Sequence, residues 1–173
     1  MQRLALHSNG KYHVVVTEAG TGFSRWGGLA VTRWRDDVVL DEAGTFLYLR
    51  DDEGGRVWSA MARLTQPSSA VPIDGAKAGF LRREGDIETC VEVAVAPTDD
   101  VELRRLRITN LSARKRTLSA TSFAEIVLAP AATDSAHLAF SKLFVETEID
   151  TELGAILASR RRLRQPAAVG DAS

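Results

Sequence analysis

The feature that most constrains this chain is an alternation of period two that recurs along it, with no helical stripe of any length to compete. In Ile87-Glu88-Thr89-Cys90-Val91-Glu92-Val93-Ala94-Val95, the residues Ile87, Thr89, Val91, Val93 and Val95 share one face, while Glu88 and Glu92 point the other way. Successive side chains of a strand project to opposite faces, so this run reads as a half-buried antiparallel strand. Val101-Glu102-Leu103 begins another, but Leu106 and Ile108 continue on the opposite parity. A β-bulge at Arg104-Arg105 is expected to return Leu106 and Ile108 to the core. A third long strand is predicted from Thr117 to Leu128, with Leu118, Ala120, Ala124 and Ile126 in phase.

Shorter strands fit KYHVVVTE, LAVTRWR, TFLYLRD, RVWSAM, AGFLRRE, LFVETEI and AILASRR. Ser8-Asn9-Gly10 reads as a turn ahead of KYHVVVTE. Asp52-Glu53-Gly54-Gly55 and Glu84-Gly85-Asp86 read as tight hairpins, and Asn110 to Arg114 as a third hairpin joining the two long strands. Gln66 to Lys77, with two prolines and a serine pair, is expected to be a surface loop. Ala131 to His137 is expected to form a short helix. About ten strands with polar turns predict an all-β fold, an antiparallel β-sandwich. At 173 residues the chain fits one domain, residues 1–164, followed by a flexible tail at 165–173 with little to bury.

The charge balance removes whole classes of partner. Lys plus Arg number 22 against 23 Asp plus Glu, so no global field draws in nucleic acid or an anionic membrane. No apolar run approaches the length of a membrane helix or a signal peptide, so the expected location is cytoplasmic, without membrane insertion. The single cysteine, Cys90, excludes an internal disulfide, and its place in ETCVEVAVA suits a small, at least partly buried side chain. His7, His13 and His137 lack metal-ligand spacing, and no phosphate loop, dinucleotide fingerprint or nucleophile elbow is present. The acidic pairs Asp36-Asp37, Asp51-Asp52 and Asp99-Asp100 fall in predicted turns, where such side chains bond their own backbone. No catalytic residue, metal site or cofactor is therefore assigned.

Gly22 to Arg35, GFSRWGGLAVTRWR, is the strongest candidate for binding, with two of the three tryptophans. Indole faces stack on the apolar faces of sugar rings, and arginine forks donate to hydroxyls or phosphate. An equally physical reading makes Trp34, which alternates with Thr32 and Ala30, a core residue of a strand. Arg33 and Arg35 then lie on the outer face.

Four segments carry a resemblance: SNGKYHVVVTEAGTGFSRWGGLAVTRWRDD, GTFLYLRD, IETCVEVAVAPTDDVELRRLRITN and AFSKLFVETE. From Leu6 to Arg162 they resemble, in order and spacing, the β-sandwich that precedes the catalytic barrel in glycoside hydrolase family 94, formerly glycosyltransferase family 36. Within that family they resemble the C-terminal region of cyclic β-1,2-glucan synthases. The resemblance implies a galactose-mutarotase-like supersandwich, incomplete where the family continues with further strands. It also implies an accessory role without the (α/α)6 barrel that carries catalysis. By this resemblance the expected partners are a β-glucan oligosaccharide, a catalytic barrel, or a second copy in a homo-oligomer. Arg25, Trp26, Arg33, Trp34, Arg35, Ser141 and Lys142 match the family's motif and are the candidate binding residues, whether for sugar or for an interface. Phe23, Ala43 and Leu138 depart from the tyrosine, tryptophan and proline usual there. The alternative is a purely structural module for dimerisation or barrel docking. A mutarotase-type enzyme would need a general acid and base converging on a sugar, for which these histidines show no motif.

Overall fold

The computed structural model describes residues 4–18, 20–33, 44–61, 69–74 and 77–161. Among these residues, fourteen strands and two short helices follow one another. The strands are β1 Leu4–Ser8, β2 Tyr12–Thr17, β3 Gly22–Trp26, β4 Leu29–Thr32, β5 Thr45–Asp51, β6 Val57–Ser59 and β7 Ser69–Asp74. They continue with β8 Lys77–Glu84, β9 Ile87–Val95, β10 Glu102–Asn110, β11 Leu118–Ala124, β12 Ile126–Pro130, β13 Val145–Asp150 and β14 Ala155–Arg160. The helices are α1 Ala131–Ala136 and α2 Leu138–Lys142, both between β12 and β13. Every pairing is antiparallel, in sheets ordered β1-β2-β3-β4-β12, β10-β9-β8-β7, β11-β5-β6 and β13-β14.

The core forms where the inward faces of the first three sheets meet. Val14 and Val16 of β2 close against Ile87, Val91 and Val93 of β9, Ala78 and Phe80 of β8, and Leu49 of β5. Trp58, Ala60 and Met61 complete it. Burying each large apolar side chain contributes about 1.5–3 kcal/mol, which is why the alternation is kept so strictly in β2 and β9. Thr89 is the polar exception on that face. It is fully buried and donates its hydroxyl to the Ala60 carbonyl at 3.1 Å, so its polarity is satisfied.

Several sequence expectations need correction. The ladder from Glu102↔Val95 to Asn110↔Ile87 runs without a bulge. The slip in hydrophobic parity is absorbed instead by turning Leu103 out to solvent and Glu102 and Arg104 inward. Those two charges neutralise each other across 2.5 Å, while Ser24 donates to Glu102. Leu106 does pack against the core, but Ile108 is exposed. The predicted long strand from Thr117 to Leu128 breaks at Glu125: β11 pairs with β5 and β12 with β4. Asn110 to Arg114 is likewise no hairpin, because β10 and β11 belong to different sheets. Its Asn110 and Ser112 side chains bond backbone locally while the chain crosses between sheets.

Within the predicted loop Gln66–Lys77, residues 69–74 form edge strand β7, whose register slips by one residue between Val71 and Asp74. Pro72 falls at that irregularity, where its missing N–H costs no ladder bond. β1 and β3 have no counterpart among the predicted strands. Asp51, expected in a solvated turn, ends β5 buried, with Arg116 at 2.5 Å. Asp36, Asp37 and the predicted tail at 165–173 lie outside the described residues.

Candidate functional site

β3 and β4 form a hairpin closed at Gly27-Gly28, where Gly27 has φ +53, the left-handed conformation glycine adopts without a Cβ penalty. The hairpin divides its side chains between two environments. Gly22 and Ser24 point into the core beside Val16 and Val14, their cross-strand partners. Phe23 and Arg25 point to the opposite face of the sheet, together with Ala30 and Thr32 of β4 and Val127 and Ala129 of β12. Ala30, Val127 and Ala129 form a second, smaller apolar cluster on that face.

The chain leaves β12 and turns directly into α1, which lies over this cluster. Between helix and sheet runs a cleft of about 380 Å³. Its sheet side is Phe23, Arg25, Ala30 and Val127, and Leu138 contributes from α2. Arg25 is exposed there and has neither an ion pair nor a side-chain hydrogen bond among the described residues.

One end of the cleft is closed by a buried ion network. Arg33, 3% exposed, donates from Nε and Nη2 to the two carboxylate oxygens of Asp134 at 2.7 and 2.5 Å. Its Nη1 donates to Glu125 at 2.9 Å, and Lys142 holds the other oxygen of Glu125 at 2.9 Å. Ser141 is buried behind Asp134, and Arg160 donates to the Ser141 hydroxyl at 3.3 Å and to the carbonyls of Ser141 and Val127. The guanidinium of Arg160 also lies 5.6 Å from the Phe144 ring centroid, a cation–π distance.

The protonation states follow from this wiring. The Arg33 fork holds the Asp134 carboxyl below its ordinary range; burial opposes this and the Ser141 hydroxyl assists. Asp134 in turn raises Arg33. For Glu125, burial pushes upward, and the hydrogen bonds from Lys142 and Arg33 outweigh it, so the net shift is downward. Arg33, Asp134 and Glu125 are therefore charged near neutrality, and the bidentate fork fixes α1 to the sheet with a defined orientation.

The seven predicted residues thus separate. Arg33, Ser141 and Lys142 meet in one network, and Arg25 stands at the cleft beside it. Arg33 does not lie on an outer face: β4 ends at Thr32, and the Arg33 side chain is swallowed between β12 and α1. Trp26 is directed to the other side of the sheet, where its Nε1 donates to Asp100 at 2.6 Å. That bond, with a second from Asn9, holds the Asp100 carboxyl below its usual range. Trp34 and Arg35 lie outside the described residues, as does Ala43.

Three members of the network escaped sequence reasoning: Asp134, Glu125 and Arg160. The signal was present for two of them. Glu125 is the lone charge in Leu118 to Leu128, and Asp134 the lone acid in Ala131 to His137. A lone carboxylate among uncharged small and apolar residues asks for a cation. Among the described residues no cluster of His, Cys, Asp or Glu could hold a metal ion, and no helix is long and apolar enough to cross a membrane.

Sheets stacked in this way, all antiparallel and with short helices confined to one outer face, define a β-supersandwich domain. The model of the glycosyl hydrolase 94 supersandwich domain matches residues 2–170, and the chain belongs to that family. It is also 41% identical over 160 residues to the cyclic beta-(1,2)-glucan synthase NdvB of Rhizobium meliloti (strain 1021). The alignment covers 91% of this chain and 6% of that protein's length, so the chain spans a small fraction of its relative. Two of the family departures noted in the sequence, Phe23 and Leu138, line the cleft.

Proposed function

We propose that this chain is a non-catalytic, carbohydrate-binding accessory domain of cytoplasmic β-glucan metabolism, and that the cleft between α1 and the β3-β4-β12 face is its sugar site. The observation that carries the reading is the juxtaposition, on one side of that cleft, of the Phe23 ring with the Arg25 guanidinium, which has no ion pair among the described residues. An aromatic ring next to an apolar floor suits the apolar face of a glucose unit, and an uncommitted arginine fork suits its hydroxyls. The cleft volume falls in the range of small-ligand sites. Arg33, Ser141 and Lys142 then position α1 rather than touch sugar. Trp34 and Arg35, which follow Arg33 in sequence, remain proposed contributors to the same site. Catalysis in this reading belongs to an (α/α)6 barrel acting with the domain.

The structural alternative, a module that docks a barrel or another copy, is favoured by a different observation. Leu4 and Leu6 of β1 and Phe140 and Leu143 at α2 are each more than half exposed, apolar surface that a partner would cover.

Calorimetric titration with linear and cyclic β-1,2-glucan oligosaccharides separates the two. The sugar reading predicts saturable heat that Arg25→Ala and Phe23→Ala each weaken about tenfold in proteins with unchanged circular dichroism, a loss of about 1.4 kcal/mol. No heat up to about 10 mM sugar, weaker than any useful module affinity, leaves the structural alternative.

A further inference from the structure

The cleft is closed at one end by the Arg33–Asp134 pair, but at its β3 side Arg25 is exposed. Beyond β3 the same sheet continues through β2 to β1. The register carries two rows of side chains across these strands. Phe23 lies opposite Val15, and Val15 opposite Leu6. One pleat along, Arg25 lies opposite His13, and His13 opposite Ser8. Directly opposed residues share a face of the sheet, so both rows lie on the face that bears Phe23, Arg25 and the cleft. The alternate residues Ala5, His7, Val14 and Val16 are buried on the other face.

The two rows differ in chemistry. In the first, Leu6 is 66% exposed and Val15 half-buried, an aliphatic strip that leads to the Phe23 ring. In the second, the exposed Ser8 hydroxyl accepts the Gly10 N–H at 2.9 Å and is hydrogen-bonded to His13 Nδ1 at 2.8 Å. That bond orients the half-buried imidazole and leaves its Nε2 edge without a hydrogen-bond partner among the described residues. The polar row thus sets Arg25, His13 and Ser8 side by side, one from each strand.

Neighbouring strands lie about 4.8 Å apart, so from β3 to β1 the rows run roughly 10 Å, the length of about two pyranose units. A pyranose ring combines an apolar C–H face with a rim of hydroxyls, and an aliphatic row beside a hydrogen-bonding row answers both. A lipid chain or an apolar peptide would have no use for the polar row. A nucleic-acid strand needs successive cations and aromatic rings, where this face offers one arginine and one phenylalanine.

We infer that the sugar site continues out of the cleft as a track across β2 and β1, so that the domain takes an oligosaccharide of about four units, two of them on the open sheet. Leu6 and Val15 lie beneath the rings, while His13 Nε2 and the Ser8 hydroxyl meet their hydroxyls. The track ends at β1, the last strand of its sheet among the described residues, so longer chains gain nothing further. This inference rests on the sugar reading of the cleft.

Calorimetric titration of the whole chain with linear β-1,2-glucan oligosaccharides of graded length tests it. The tetrasaccharide is expected to bind at least about fivefold more tightly than the disaccharide, and the hexasaccharide within about twofold of the tetrasaccharide. Leu6→Ala and His13→Ala, checked for folding by circular dichroism, should each erase most of that gain, bringing the tetrasaccharide close to the disaccharide. Arg25→Ala should weaken both sugars. Equal affinity for disaccharide and tetrasaccharide, or a gain that survives both Leu6→Ala and His13→Ala, would overturn the track and leave the cleft reading standing. Absence of binding at every length would overturn both.

Discussion

At the scale of residues, the arrangement depends on a few polar side chains placed where polarity is costly. Arg33 and Asp134 are the clearest pair. Replacing Asp134 with Asn leaves a buried guanidinium without its bidentate partner, and urea unfolding should show a loss of about 3–5 kcal/mol. Arg33→Met combined with Asp134→Leu should cost much less than the two single changes summed, because neither charge is then stranded. His7 makes the opposite case. It is buried on β1, its Nε2 has no hydrogen-bond partner among the described residues, and burial lowers its pKa below the ordinary 6.5. The folded state binds that proton less readily than the unfolded state. The stability from neutral His7 is thus complete above the ordinary value and lost as pH falls from 6.5 toward the folded value. Thermal melts between about pH 7 and 5 should slope downward in the wild type, and His7→Phe should flatten that part of the slope.

At the scale of elements, close backbone approach decides where the chain can change. A Cβ on Gly22 would sit 1.9 Å from the Val15 carbonyl oxygen, inside the β2-β3 ladder, and neither atom can move aside without breaking strand pairing. Gly22→Ala should therefore cost about 3 kcal/mol in chemical denaturation, at the upper end for overpacking. The strands with clean alternation were legible in the sequence: β2, β5, β8, β9, β13 and β14 match their predicted runs closely. β3 was not, because GFSRW has a glycine and serine on its buried face and aromatic and basic residues elsewhere, so hydrophobicity gives no period. The fate of Arg104 was hidden for a related reason. A pattern rule sends charge outward, whereas Glu102 and Arg104 satisfy each other inside.

At the scale of the whole molecule, acid sensitivity sums over several carboxylates held below their ordinary range. Lys77 and Arg105 bring Glu92 to about 2, and Asp51, Asp100, Glu125 and Asp134 shift in the same direction. Each contributes stability above its ordinary value and loses it as pH falls through its folded value. From these carboxylates the midpoint in urea should decline steadily from about pH 4.5 downward to about 2. The fold class and the family were legible from the sequence. The site was legible only in part, because sequence order places Arg25, Trp26 and Arg33 together. The pleat then sends Trp26 to the other face, and the buried network claims Arg33. Nothing in a linear reading joins Arg33 to Asp134, which lies 101 residues away.

The most direct test of the central claim is to follow backbone amide shifts by NMR while adding a β-1,2-glucan oligosaccharide. The account predicts saturable changes concentrated at Phe23, Arg25, Thr32 and Leu138, around the cleft. Shifts that never develop, or that gather instead around Trp26 and Asp100 on the opposite side of the sheet, would contradict it.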